Sequence, residues 1–184
     1  MSGGKLSAAS YVVLGLASIF GPTTPYGMSQ WMDRGIGYFW RFPRARLYSE
    51  PARLAGLGLL TETREPEGRR RLLYEVTDEG RQALRAWLRA PTTELPEHHD
   101  YGLLKLYLSG ADATPEDVVH LAHQQAEAHR RRLETYQEIA RNAPSAPQLA
   151  AAVLTLQHGL RYEQMSLDFW TEIATRKSPP TGTH

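Results

Sequence analysis

Arginine is the side chain through which this sequence can do most chemistry. Arg44, Arg46 and Arg53, with Tyr48 and Ser49 among them, fall off an apolar stripe of Leu47, Pro51 and Leu54 at helical spacing. Arg69, Arg70 and Arg71 follow one another at the end of a turn, Glu65-Pro66-Glu67-Gly68-Arg69, in which Gly68 can supply a positive φ. A guanidinium is planar and always charged. Its forked donors match phosphate oxygens and the edge of guanine, a geometry lysine cannot reproduce. Arginines on a helix suit a major groove, and arginines clustered on a turn suit the phosphate backbone. Tyr26, beside the helix-starting Pro25, and Arg41 complete a candidate DNA-contacting set of Tyr26, Arg41, Arg44, Arg46, Tyr48, Ser49, Arg53, Arg69, Arg70 and Arg71.

Other chemistries find less support. His120 and His123 stand at i, i+3 with Glu116 a turn earlier, a metal-like spacing, but the sequence offers no distant partner ligand, so no metal is expected. His98-His99 is a weaker pair still. The absence of Cys excludes disulfides, thiolate zinc sites and a Cys nucleophile. There is no Gly-rich phosphate loop, no nucleophile elbow and no Ser/His/Asp order in a credible setting, so neither an enzyme nor a cofactor is expected.

The chain has 184 residues, 41% hydrophobic and 22% charged, enough for one domain or two small ones. Its net charge of +1 hides an asymmetry. Residues 1–90 carry 13 basic against 8 acidic groups, net +5, whereas residues 91–184 carry 8 against 12, net −4. Only the first half suits a polyanion. No apolar run approaches the roughly 18 residues of a membrane span. The opening Met1-Ser2-Gly3-Gly4-Lys5 lacks the layout of a secretory signal, so a soluble cytoplasmic protein is expected.

The elements that must position the arginines can be read from periodicity. Leu6, Ala9, Val13, Leu16, Ala17 and Phe20 define a first helix, capped by Ser7 and ended by Gly21-Pro22. A short second helix, about 25–34, starts at Thr24-Pro25, and a third runs from about 44 to 55. Two strand-like runs, 59–64 and 71–76, flank the Gly68 turn, and Thr77 caps a fourth helix over about 78–90. This order predicts a mostly α chain with a winged helix-turn-helix over 1–90, a Pro/Thr/Glu linker over 91–97, a helical dimerisation domain over 98–177 and a disordered tail over 178–184. A winged helix can also serve as a protein-interaction module that never touches DNA, but arginines on both the third helix and the wing favour double-stranded DNA.

Gly37-Tyr38-Phe39-Trp40, Leu47-Tyr48-Ser49-Glu50-Pro51-Ala52-Arg53-Leu54 and Gly58-Leu59-Leu60 resemble the PadR family of bacterial transcription regulators. So do Tyr74-Glu75-Val76-Thr77-Asp78-Glu79-Gly80, Leu84 and Trp87-Leu88. The resemblance implies that the third helix is the recognition helix. It also implies a homodimer on an inverted-repeat operator, usually a repressor, in some members released by a small aromatic molecule and in others an activator with no known ligand. Many of the family carry Pro directly after the helix Tyr. Here Ser49 stands there and Pro51 follows two residues on, where proline tends to kink a helix.

In the second half, helical runs over about 98–109, 115–142 and 147–177 are expected, the last two stepping by threes and fours as an antiparallel hairpin. Helices this long need a partner for their stripes, and a two-fold homodimer is the economical one. Val119, Ala126, Leu133, Leu156, Leu160, Leu167 and Trp170 are the candidate interface. His129 and Glu163 interrupt the stripes. They are either register-fixing core groups or, with Tyr136 and Tyr162, a pocket for a small planar aromatic effector.

Overall fold

The computed structural model describes residues 5–40, 43–65, 70–97 and 99–176. Two compact units part between Thr93 and Glu94.

The first unit contains α1 (Ala8–Phe20), α2 (Pro25–Arg34), α3 (Ala45–Gly56), the strands β1 (Leu60–Arg64) and β2 (Leu72–Val76), and α4 (Asp78–Arg89). Local chemistry sets the helix starts. Ser7 and Ser10 form a capping box on α1, and Thr24 and Thr77 accept from the backbone N–H groups of Gly27 and Gly80. A single 3-10 turn, Ile36–Tyr38, lies in the aromatic segment between α2 and α3. The α3 helix continues through Pro51, whose ring is fully buried, so the proline expected to disturb the helix is accommodated as a core residue. Val13, Leu14, Leu16 and Ala17 of α1, Met28 and Met32 of α2, Leu47 and Leu54 of α3, and Leu60, Tyr74 and Val76 of the strands form one core. The strands pair antiparallel, Leu60 opposite Val76 through Arg64 opposite Leu72. Thr23 adds an isolated bridge to Tyr74, tying the α1–α2 connection to the wing. Gly80 is required by close approach, since a Cβ there would lie 2.1 Å from the Leu59 carbonyl oxygen. That contact fixes α4 against the start of the wing.

The second unit contains α5 (Tyr101–Leu108), α6 (Pro115–Arg141) and α7 (Ala150–Thr175). Asp100 caps α5, and a Thr114/Asp117 capping box with Pro115 starts α6. The α6 and α7 helices form an antiparallel hairpin. Tyr136 lies over Gly159, His129 pairs with Glu163, and Ala122 and Ala126 pack on Trp170. Gly159 lets the Tyr136 ring close in, because a Cβ there would sit 2.8 Å from it. Among the described residues no helix is long and apolar enough to cross a membrane. The expected tail, residues 178–184, and His98 lie outside the described residues.

Candidate nucleic-acid interface

The α3 helix is two-faced. Leu47, Glu50, Pro51 and Leu54 are buried against the rest of the first unit, whereas Ala45, Arg46, Tyr48, Ser49 and Ala52 face solvent. Tyr48 is 53% exposed, and the Ser49 hydroxyl donates to the Ala45 carbonyl at 3.3 Å. Ala45 and Ala52 were missed from sequence. Their signal is smallness on the outward face, which lets a helix approach base edges closely and offers methyls for contact with thymine.

Two expected reading residues have partners inside the unit. Arg44, just before α3, forms an ion pair at 2.6 Å with Asp33 of α2. Arg53 grips the Glu50 carboxylate through Nε at 3.0 Å and Nη2 at 2.6 Å, and Nη2 also donates to the Ser10 hydroxyl at 3.1 Å. The Ser10 hydroxyl in turn donates to Glu50 at 2.6 Å. The Arg53 hydrogen bond holds the Glu50 carboxyl below its ordinary pKa against the opposing effect of burial, and the same bond raises the Arg53 pKa. Glu50 was not singled out from sequence, yet it is 5% exposed and joins α3 to the start of α1. A buried carboxylate on a helix otherwise lined by cations is legible only once its cationic partner is seen.

On the wing, Arg70 and Arg71 are exposed. Arg70 has a φ of 49°, a left-handed backbone uncommon for a residue with a Cβ. Arg71 donates through Nε to Glu65 at 3.0 Å, which lowers the Glu65 pKa and raises that of Arg71. Arg41 and Arg69 lie outside the described residues. Tyr26, at the start of α2, is 63% exposed, and its hydroxyl accepts from Gln30 at 3.1 Å. Exposed guanidinium groups on α3 and on the wing, with a small-residue helix face between shoulders of Tyr and Arg, can bind phosphates and base edges.

The helical unit sorts the expected interface residues in two. Ala126, Leu133 and Trp170 are buried within the protomer, Trp170 to 1% exposure, so the hairpin itself uses them and they are closed to a partner. Val119, Leu156, Leu160 and Leu167 are half-buried. The exposed apolar groups of this unit are instead Tyr101, Leu103, Leu104, Tyr107 and Leu108 of α5 and Val153, Leu154, Met165 and Phe169 of α7. The four expected pocket residues do gather on the hairpin. His129 Nδ1 and Glu163 bond at 2.6 Å, the Tyr162 ring meets His129 edge-on at 6.4 Å, and Tyr136 fills the space over Gly159. His120 bonds to Gln124, and among the described residues no group of three His, Asp or Glu side chains is placed to hold a metal ion.

Residues 13–86 match the model of the transcriptional regulator PadR-like family, and residues 100–176 match that of the virulence activator alpha C-term family. No curated protein sequence matches the chain. Among solved structures, Bacillus subtilis PadR in complex with operator DNA is similar with a TM-score of 0.81 and 23% identity, over 91% of this chain and 98% of that one. The same protein in complex with p-coumaric acid matches with a TM-score of 0.73 and 22% identity, over 91% and 97%. The Vibrio cholerae virulence activator AphA matches with a TM-score of 0.68 and 26% identity, over 91% and 96%. The matched residues include the buried stripe and outward face of α3, the wing and the start of α4, and over residues 13–86 the sequence matches the PadR-like family of transcriptional regulators.

Proposed function

We propose that the chain is a homodimeric, sequence-specific regulator that represses by occupying an inverted-repeat operator. The observation that carries this reading is the outward face of α3, with Ala45, Arg46, Tyr48, Ser49 and Ala52 exposed over a buried Leu47/Leu54 stripe. Small side chains admit the helix to the groove floor, and Tyr48 and Ser49 present hydroxyls to base edges. Arg70 and Arg71 on the wing add affinity for backbone phosphates, which carries no sequence information of its own. The homodimer is supported by the apolar side chains that α5 and α7 leave in solvent, Tyr107 at 86% exposure among them. Such a set is unusual for a surface that stays wet. Two-fold symmetry then sets two copies of α3 about one DNA turn apart.

A small planar aromatic molecule is the effector this reading favours, in keeping with the p-coumaric acid bound by the Bacillus subtilis relative. Activation is the second reading, supported by the match of residues 100–176 to the virulence activator alpha C-term model. Transcription in vitro from a promoter carrying an operator selected from a randomised duplex pool tests the pair. Repression predicts that transcript falls as protein is added and returns with p-coumaric acid or a related planar aromatic. A rise in transcript on adding protein overturns repression in favour of activation.

A further inference from the structure

One cationic feature of the first unit is not explained by base reading. An open cleft of about 480 Å3 lies between the segment leading into α1 and the flank of α3, lined by Lys5, Arg46, Ser49, Glu50 and Arg53 among others. Arg46 and Ser49, at one edge of the outward face of α3, and Arg53 a turn further on lie along one shoulder of the helix. A helix seated in a major groove turns its outward face to the base edges and its shoulders to the two sugar-phosphate walls. Three cations meet one carboxylate here, and that carboxylate is already committed, because Glu50 is buried and takes two donors of Arg53 and the hydroxyl of Ser10. The hydrogen bonds of Arg53 to described residues run through Nε and Nη2, leaving Nη1 for the cleft, and the side chain is 40% exposed.

We propose that this cleft seats one phosphodiester of duplex DNA, held by Lys5, Arg46 and Arg53, with Glu50 and Ser10 as positioning residues that fix the Arg53 fork. The proposal rests on the DNA-binding reading above and adds to it. It moves Arg53 from reading bases to holding backbone, brings in Lys5, and gives Glu50 a purpose on a helix that faces a polyanion. A guanidinium gripped along one edge loses little further freedom when its other edge meets a phosphate, so the contact is pre-organised.

The test uses a duplex selected from a randomised pool, with single phosphates replaced in turn by uncharged methylphosphonate. The wild-type chain should lose affinity at one phosphate in each half-site that flanks the α3 contact. Lys5→Ala should weaken binding to selected and random duplex alike, flatten the log–log salt slope by up to about 0.9, the value for one lost phosphate contact, and become less sensitive to that substitution. Because Arg53→Ala alone would orphan a buried carboxylate, the double variant Glu50→Gln/Arg53→Ala carries the second arm, with its melting temperature recorded. It should lose sensitivity to the same phosphate, and joining it to Lys5→Ala should not remove a second unit of slope. If both variants scan and salt-titrate like wild type, the cluster only pins α3 to α1 and the proposal is overturned. If the double variant does not fold, Lys5→Ala decides alone. Saturation by inorganic phosphate at low millimolar concentration, dependent on Lys5 while the methylphosphonate scan is unchanged, would make this a small-anion site and also overturn it. A wild-type chain showing no salt-dependent duplex binding would overturn the DNA reading itself, a result separate from either of these.

Discussion

Glu50 and Arg70 are two residues whose local energetics run against ordinary preference. Glu50 is a buried carboxylate made tolerable by Arg53 and Ser10. Its folded pKa lies below the ordinary 4.5, so the pair stabilises the fold above that pH, and the contribution is lost as pH falls through the folded value. Glu50→Gln should therefore cost roughly 1 kcal/mol at pH 7, a modest figure because Arg53 is partly in water. The gap to wild type in melting temperature should narrow progressively in acid. A constant gap from pH 7 to pH 3 would show that charge is not what the pair contributes. Arg70 holds a left-handed backbone at the wing, a strain of about 1 kcal/mol that glycine would relieve. Arg70→Gly should raise the melting temperature slightly while weakening DNA binding, separating stability from function at one residue. A variant that binds DNA as tightly as wild type would take Arg70 off the backbone.

Individual elements divide into those that local chemistry dictates and those that only a partner explains. The α1 to α4 helices and both strands were legible because each carries its own signals: Ser7, Thr24 and Thr77 as caps, Pro25 at a first turn, and stripes such as Leu47/Leu54 that end up buried. Arginine placement was legible as a surface feature, but the Glu50–Arg53–Ser10 cluster was not. Residues 40 apart in sequence leave no periodic trace of a hydrogen bond. On the wing, changing Arg69, Arg70 and Arg71 together to Ala should weaken specific and non-specific binding alike and flatten the salt slope by up to about three units. A triple variant with the wild-type slope would take the wing off DNA. In the helical unit, stripe positions were read as a seam between protomers, yet Ala126, Leu133 and Trp170 satisfy the antiparallel hairpin. Periodicity reports that a face is covered and does not report by what. Two variants separate the cases. Trp170→Ala should cost about 3–5 kcal/mol through the cavity it leaves. Leu104→Glu, on the exposed face of α5, should leave the fold intact and yield monomers in sedimentation. A Leu104→Glu chain that stays dimeric would move the seam away from α5.

For the molecule as a whole, the uneven charge visible in the sequence agrees with the proposed reading, the net positive half being the one that carries α3 and the wing. The proposed effector was least legible. The aromatics of this chain are numerous, and the structure engages several of them in the protein, Tyr11 on Trp87 and Phe20 on Trp31 among them. Tryptophan fluorescence titrated with p-coumaric acid and related planar aromatics should nevertheless respond if release by such a molecule is correct. No change with any compound, together with unaltered DNA binding, would leave a regulator without a ligand. The central claim is that the chain recognises duplex DNA by sequence through α3. It is tested most directly by fluorescence anisotropy of a pool-selected duplex and of a scrambled duplex of equal length, each titrated with wild-type protein across a range of salt. The account predicts that the selected duplex binds at least about a thousandfold more tightly at moderate salt, and that log affinity falls linearly with log salt for both. Equal affinity for the two duplexes at every salt concentration would contradict it.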